Sequence, residues 1–230
     1  MEHMPLPSRP RRARARRGSG EELRAEILHA ARELLAKAPN ADSVSIRAIA
    51  QQVGVTAPSI YRHFADKDEL IDAVVGDVFE ELGARLQAGA EGIDDPLERL
   101  RQRGLAYISF ARQFPEHYRL ATMQQAATAS TVDHVLTASA FVHFASDVSA
   151  CIEEQIFTGN PVDITLEFWA AAHGLASLIV AKPFLPWTDL EGSIERVLAS
   201  SCFGRSVYDM LGGEPTVADF RAWWQRRQDR

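Results

Sequence analysis

The sequence predicts an all-α fold, because apolar residues recur at steps of three and four along most of its length and no stretch alternates as a strand does. Proline and glycine interrupt these stretches at spacings typical of helix–helix connections. The 230 residues suffice for a small domain joined to a larger one, and 46% hydrophobic with 24% charged residues is an ordinary globular composition. We expect an arm over residues 1–20, a small helical domain over residues 21–70 and a larger helical domain over residues 71–230.

Positive charge is concentrated toward the N-terminal end. Residues 1–70 hold 12 Lys and Arg against 9 Asp and Glu, whereas the remainder holds 13 against 22. This asymmetry is expected when only one end of a protein meets a polyanion. The segment 1–20 predicts a disordered basic arm that follows phosphates or enters a minor groove, or else a solubilising tail without fixed contacts. Its six arginines are Arg9, Arg11, Arg12, Arg14, Arg16 and Arg17.

The cysteines and the apolar stretches indicate a cytoplasmic protein. Cys151 and Cys202 lie in apolar helical stretches and predict buried free thiols rather than a disulfide. The arginine-rich start leads into polar helix instead of an apolar core, so no secretory signal is predicted. The most apolar run, residues 168–181, is too short to span a bilayer, and we expect no membrane partner.

The small domain is predicted as three helices, the last two separated by a tight turn. Apolar positions place a first helix over residues 21–37. Ser43 or Ser45 can cap the second, and Gly54 supplies the positive φ of the turn. A third helix follows, with Thr56 at its cap and Pro58 in its first turn. The inward side chains of the second and third helices are Ile46, Ile49, Ala50, Val53, Ile60 and Phe64.

The outward side chains of this helix pair suit the major groove of double-stranded DNA. Hydroxyls and a tyrosine can reach phosphates or base edges, and Ala57 can pack on a thymine methyl. Arg47 can offer a bidentate fork to guanine, and Lys67, at the head of the next helix, can hold a phosphate together with backbone amides. The predicted DNA-binding residues are Arg47, Thr56, Ala57, Ser59, Tyr61, Arg62, His63 and Lys67.

This region resembles the DNA-binding domain of the tetracycline-repressor (TetR) family. The resemblance covers residues 21–70 and is carried by Ile49-Ala50, Gly54-Val55, Ser59-Ile60-Tyr61, His63-Phe64, Lys67 and Leu70. It implies a homodimer whose C-terminal pocket binds a ligand that controls DNA affinity, with repression the commoner outcome. A helix corner without a DNA function is the structural alternative, and His63 beside Phe64 can equally be a packing residue.

The larger domain is helical in period throughout. Leu70, Val74, Val78 and Leu82 form one stripe, and Pro115 begins a new element. Further helices are predicted over residues 132–157 and 164–181, around residues 190–198, and around residues 217–224. The run Trp169-Ala170-Ala171-Ala172-His173-Gly174 resembles a Trp-x-x-x-His-Gly signature of one TetR subgroup, as does Phe114-Pro115-Glu116-His117-Tyr118.

Two apolar helices are predicted to form a four-helix seam between two subunits. Burial inside one subunit is the competing interpretation. The predicted interface residues are Phe168, Ala171, Ala172, Leu175, Ile179, Ile194, Val197 and Leu198.

Aromatic side chains in the middle helices predict a pocket for a small hydrophobic or aromatic effector. Plain core packing is again the alternative. The predicted pocket residues are Tyr107, Phe110, Phe114, Tyr118, Met123, Phe141, Phe144, Trp169 and His173, with His117, Gln124 and His143 as further polar groups.

Catalysis is not indicated. The seven histidines lack metal-ligand spacing on one helix, and no nucleophile–base arrangement or glycine-rich phosphate loop occurs. We expect no catalytic site, metal or cofactor. The sequence predicts a ligand-responsive transcriptional regulator that binds a palindromic operator as a homodimer. The alternatives are a helical scaffold or partner-binding protein with a degenerate DNA-binding head and, more weakly, an enzyme that uses the pocket as its active site.

Overall fold

The computed structural model describes residues 19–38, 41–122 and 138–228, and no strand occurs in these ranges. The all-α prediction is confirmed. A single 3-10 turn, Ala41–Ser43, precedes the second helix. The α-helices are α1 (Ser19–Lys37), α2 (Ile46–Val53), α3 (Ala57–Ile60), α4 (Lys67–Gly89), α5 (Pro96–Gln113), α6 (Pro115–Thr122), α7 (Ser139–Glu153), α8 (Pro161–Ala181), α9 (Leu190–Leu211) and α10 (Val217–Gln228).

The helix starts follow from side-chain caps. Ser45 is the cap of α2, where its hydroxyl accepts the amide of Ala48. Asp95 and Asn160 accept amides in the first turns of α5 and α8, and a proline follows each of them at the first helical position. These groups satisfy amides that have no partner inside the helix.

The chain forms two compact units that differ from the predicted domains. Among the described residues, the first unit comprises 19–38, 41–78 and 116–122, and the second comprises 79–115 and 138–228. The boundary therefore lies inside α4 rather than at residue 70, because Leu70 and Val74 belong to the core of the first unit. The predicted arm, apart from residues 19 and 20, lies outside the described residues.

The first unit is held by a hydrophobic core formed by α1, α2, α3, the start of α4 and α6. Ile27, Ile60 and Leu70 are completely buried in it. Leu120 brings α6 into this core, although the sequence placed that segment in the larger domain. A hydrogen bond from the Arg32 guanidinium to His117 Nδ1, at 3.0 Å, joins α1 to α6.

The second unit is built around α5, which packs against α7, α8 and α9. The absence of a side chain at Gly104 permits close approach, since a Cβ there would lie 2.8 Å from Leu198 of α9. The buried carboxylate of Asp147 accepts hydrogen bonds from both Arg99 and Arg103, and Arg103 also donates to the carbonyl of Leu86. This ion cluster ties α7 and the end of α4 to α5.

The helix α8 is long and apolar enough, by length and composition alone, to cross a membrane. It contacts α5, α7 and α9, as a core helix of a globular unit does. Its apolar residues also extend to the side turned away from those helices, where Leu166 and Leu178 are exposed.

Candidate DNA-binding face and candidate ligand cavity

The turn between α2 and α3 has the predicted geometry. Gly54 ends α2 with φ +79°, and its amide and that of Val55 both donate to the carbonyl of Ala50. Thr56 occupies the cap position of α3 with extended backbone, but its hydroxyl pairs with Ser59 instead of capping an amide. The regular part of α3 ends at Ile60, which is earlier than predicted. Turns follow as far as Phe64, and the amides of His63 and Phe64 both donate to the carbonyl of Ile60.

The inward side of this segment is anchored in the core. Ile60 and Phe64 are essentially inaccessible to solvent, and Arg24 lies over the Phe64 ring at 5.0 Å. Burial of these two side chains fixes the rotation of α3 about its axis. The opposite side must therefore face outward.

The outward side presents polar groups that already contact one another. The hydroxyls of Thr56 and Ser59 are 3.0 Å apart, and the Arg62 guanidinium donates to Ser59 Oγ at 3.1 Å. Tyr61 is 52% exposed. Arg47 is exposed on α2, while Ala57 and His63 are half-buried. Seven of the eight predicted DNA-binding residues thus lie on α2 or in the segment 56–63 that contains α3.

Lys67 begins α4 as predicted, but its surroundings differ from a ready phosphate site. Its ammonium donates to the carbonyl of Asp42 at 3.3 Å. The side chain of Asp66 accepts the amide of Glu69, and the side chain of Glu69 accepts the amide of Ala65, so two carboxylates occupy amides at the start of α4. To bind a phosphate here, the Lys67 ammonium would have to give up its hydrogen bond to the Asp42 carbonyl.

The second unit contains a cavity among α4, α5, α7 and α8. Its volume is about 20 Å³, room for little more than one water molecule, so a larger ligand must enlarge it. Four predicted pocket residues line it: Tyr107, Phe141, Phe144 and Trp169. The sequence analysis did not assign the other lining residues, namely Phe79, Leu82, Leu86, Ala140 and Thr165.

The polar atoms of the cavity wall are engaged inside the protein. Trp169 Nε1 donates to the Tyr107 hydroxyl at 3.1 Å, and that hydroxyl also pairs with His173 Nδ1 at 3.2 Å. Thr165 donates to the carbonyl of Pro161. Burial lowers the pKa of His173 below its ordinary value, which favours the neutral imidazole. The cavity is therefore an apolar space with uncharged walls.

Five predicted pocket residues do not line the cavity or lie outside the described residues. Phe110 and Phe114 pack against each other, and the Arg85 guanidinium lies over both rings. Tyr118 is fully buried and belongs to the first unit. Met123, like the additional candidate Gln124, lies outside the described residues. The imidazole of His173 pairs through Nδ1 with the Tyr107 hydroxyl and through Nε2 with the Ser177 hydroxyl.

The predicted subunit interface requires correction. Five of its residues are buried inside the second unit and cannot meet a partner: Phe168, Ala172, Leu175, Ile194 and Leu198. Ala171, Ile179 and Val197 are half-buried. Core burial, the competing interpretation, accounts for the five, because α8 and α9 pack against each other and against α5.

The other side of α8 forms an apolar stripe, which comprises Val162, Leu166, Ala170, Gly174 and Leu178 at four-residue steps. All five residues are exposed. Phe203 and Met210 of α9 are more than 60% exposed. A large apolar surface of this kind indicates an interaction site.

The ionisable groups give no metal or thiolate site among the described residues. No group of three metal-ligating side chains occurs there. Cys151 and Cys202 are both free thiols, and burial raises the pKa of Cys151 to about 12 and of Cys202 to about 11. Both cysteines are accordingly protonated near neutral pH and unreactive.

Curated sequence relatives match only part of this chain. The nucleoid occlusion factor SlmA of Vibrio vulnificus (strain YJ016) is 33% identical over 92 residues, which is 40% of this chain and 47% of that protein. The chain thus spans about half the length of the curated relatives it matches.

Solved structures share the fold. A TetR family regulator from Vibrio parahaemolyticus superposes with TM-score 0.65 at 22% identity, over 79% of this chain and 97% of the other. A protein of unknown function from Rhodococcus sp. RHA1 gives 0.66 at 24% identity, over 80% and 95%.

Two family models match separate parts of the chain. Residues 27–74 match the bacterial regulatory proteins of the tetR family, and residues 100–201 match a tetracyclin repressor-like C-terminal domain. The first match contains the exposed face of α3, and the second contains most of the cavity. The family consists of DNA-binding regulators and not of enzymes. The chain belongs to the TetR family of transcriptional regulators.

Proposed function

We propose that this regulator is a homodimeric repressor that binds palindromic operator DNA and releases it when a hydrophobic or aromatic effector enters the cavity. The observation that carries the proposal is the outward face of α3, where Thr56, Ser59 and Arg62 are connected by hydrogen bonds beside the exposed Tyr61. These groups are fixed before DNA arrives, so binding orders few additional side chains.

The predicted DNA-binding residues differ in the chemical groups that they offer to DNA. Thr56, Ser59 and Tyr61 carry hydroxyls suited to phosphates or base edges, and Lys67 supplies a positive charge near the phosphates. Arg47 and Arg62 carry planar guanidinium groups that can bind a guanine edge bidentately. Ala57 and His63, both half-buried, contribute the edge of the contact surface.

The exposed apolar surface of α8 and α9 supports the homodimer. Water-exposed Leu166, Leu178 and Phe203 are unfavourable in an isolated subunit and become buried when two copies pair. Ala170 and Gly174 let the paired helices approach closely. A twofold dimer requires a palindromic operator with half-sites about 34–36 Å apart.

The cavity supports an effector without charge. Its wall is almost entirely apolar, and Tyr107 and Trp169 already satisfy each other's polar atoms. An apolar or aromatic molecule makes few hydrogen bonds with water, so the cavity wall need not replace any when the molecule enters.

Coupling to DNA runs through α4 in this proposal. Phe79, Leu82 and Leu86 of α4 line the cavity, and the same helix begins at Lys67 beside the DNA-binding face. A ligand that enlarges the cavity favours a conformation in which α4 is displaced. DNA favours the other conformation, so ligand and DNA oppose each other by population shift. The protein then acts in the cytoplasm, associated with the nucleoid when it is bound to DNA.

Selection of bound sequences from random duplex DNA, with the full chain, tests the DNA-binding part. The proposal expects an enriched palindrome with constant half-site spacing. Absence of any enriched sequence favours the alternative of a partner-binding protein with a degenerate head. The effector part is tested on the enriched duplex by a gel shift against a panel of neutral aromatic and charged compounds, where only the neutral compounds are expected to release DNA.

A further inference from the structure

The helix α10 makes few packing contacts with the rest of its subunit. None of its residues is buried, and Val217, Phe220 and Trp224 are 78%, 45% and 51% exposed. Its main packing contact within the subunit is with α9. It also lies beyond residues 100–201, the segment that matches the family's C-terminal domain.

The exposed side of α10 carries organised aromatic side chains. The rings of Phe220 and Trp223 stack with centroids 5.7 Å apart, and Trp224 lies 6.3 Å from Trp223. The Arg227 guanidinium covers the Trp223 ring at 4.5 Å. A helix of 12 residues is marginal in water without tertiary packing, so an aromatic face of this size calls for a covering surface.

The apolar surface continues from α10 onto its own subunit. Gly212 and Gly213, both with positive φ, turn the chain between α9 and α10. Directly before this turn, Met210 is 67% exposed, and Phe203 is exposed two turns earlier. Exposed apolar side chains therefore lie on both sides of this turn, on the last turns of α9 and on α10.

Charge complementarity indicates what covers α10. The helix carries Arg221, Arg226 and Arg227 against one carboxylate, Asp219, which accepts hydrogen bonds from Thr216. Its surface is therefore basic as well as aromatic.

An acidic surface occurs at the same end of the second unit. Glu153 and Glu154 at the end of α7 and Asp163 at the start of α8 are exposed. Hydrogen bonds of Thr158 with Arg205 and Asp209 tie the loop between α7 and α8 to the last turns of α9, from which α10 departs. A second copy of this chain therefore offers both an apolar surface and exposed acidic residues to the basic, aromatic helix.

We propose that α10 is a clasp that packs against a second copy of this chain. Its aromatic residues extend the interface over the partner's α8 and α9, and its arginines face the acidic residues at the end of the partner's α7. This inference rests on the homodimer of the proposed function and adds to it an element outside the matched family segment.

Sedimentation equilibrium of full-length variants tests the clasp. The double variant Phe220→Ala/Trp224→Ala is expected to raise the dimer dissociation constant at least about tenfold, because both side chains lose their cover. Tyr61→Ala is the matched control, since it removes an aromatic ring of similar exposure from the first unit and is expected to leave the dissociation constant unchanged. Thermal melting of each variant by circular dichroism identifies a folding defect, and Trp224→Phe is expected to restore most of the affinity.

A charge exchange tests the partner independently. Arg226→Glu/Arg227→Glu is expected to weaken the dimer, and combining it with Glu153→Arg/Glu154→Arg is expected to restore it. A wild-type chain that stays monomeric at about 100 µM overturns the homodimer and the clasp together. A dimeric wild type with an unchanged constant in Phe220→Ala/Trp224→Ala overturns the clasp alone. Binding of α10 to vesicles of phosphatidylcholine and phosphatidylglycerol, with dimerisation unaffected by the variants, also overturns it.

Discussion

Tyr61 is the side chain that most directly distinguishes a DNA-binding face from an ordinary helix corner. Its neighbours Ile60 and Phe64 are buried, whereas its own ring is half exposed and makes no contribution to the core. A tyrosine in such a position costs little stability to remove and is available to a ligand.

Tyr61→Ala is therefore expected to weaken operator binding by about 1–3 kcal/mol while leaving the free energy of unfolding within about 0.5 kcal/mol of the wild type. A gel shift and urea denaturation measure the two quantities. Lys67→Ala is expected to weaken binding as well and to reduce the salt dependence by about one phosphate contact. Unchanged affinity in both variants would refute the assigned face.

The buried carboxylate of Asp147 has a different role, because it neutralises two arginines inside the second unit. Its side chain is 3% exposed, and that of Arg103 is 7% exposed. Asp147→Asn leaves Arg103 without its buried counter-charge and is expected to reduce the free energy of unfolding by about 3–5 kcal/mol. Glu195→Gln, which removes a largely exposed partner of Arg101, is the control and should cost at most about 1 kcal/mol. Similar losses in both variants would contradict this account.

His173 gives the second unit a predicted pH dependence. Burial lowers its pKa in the folded state, so the unfolded chain takes up the proton first as the pH falls. The stability is therefore complete above the unfolded pKa of about 6.5 and declines below it. His143, whose pKa is also lowered by burial, adds to the same trend.

His173→Gln is expected to flatten the decline of the urea midpoint between about pH 7 and pH 5 without removing it, because His143 still titrates. Urea denaturation across this range measures the slope. A variant that declines as steeply as the wild type would assign the pH dependence to other groups.

At the scale of elements, alanine substitutions at Gly76 of α4 and Gly174 of α8 distinguish effects on helix stability from effects on dimer packing. A Cβ at Gly76 or at Gly174 would meet no atom within 4 Å in the subunit. Alanine at either position is expected to stabilise its helix by up to about 1 kcal/mol. Gly174 lies in the exposed apolar stripe of α8, whereas Gly76 lies in α4.

Gly174→Ala is therefore expected to weaken the dimer severalfold, because the added methyl group separates the paired helices, and Gly76→Ala is expected to leave the dimer unchanged. Sedimentation equilibrium distinguishes the two. An equal dissociation constant in Gly174→Ala and the wild type would exclude the stripe from the interface.

The same elements explain how far the sequence could predict the structure. Leu70, Val74, Val78 and Leu82 are buried as their spacing predicts, because α4 has one clearly apolar side. Apart from Asp163 and Glu167, α8 carries apolar residues on both its core side and its exposed side. Periodicity therefore could not tell the core side of Phe168 from the exposed side of Leu166 and Leu178.

The cavity was predicted in part for a similar reason. Tyr107, Phe141, Phe144 and Trp169 were assigned from aromatic content, which equally selected Phe110 and Phe114. Leu82 was visible in the apolar stripe of α4, but only tertiary packing decides that it lines the cavity. The assignment of α6 to the first unit depends on Leu120, whose contacts are distant in sequence.

At the scale of the whole molecule, the account depends on two copies acting together. One face of α3 can contact only about half of an operator, and a second copy is needed to contact the other half. In the proposed dimer, the exposed apolar surface of α8 and α9 and the polar face of α3 serve one function, although they belong to different compact units.

The most direct test is a sedimentation titration of the full chain against the enriched palindromic duplex and against a duplex with only one half-site. The account predicts two subunits on each palindrome, at least about a hundredfold weaker binding to the single half-site, and weaker binding to both by Tyr61→Ala. Two results together would contradict this prediction: one subunit binds the half-site duplex as tightly as the palindrome, and Tyr61→Ala binds both duplexes as tightly as the wild type.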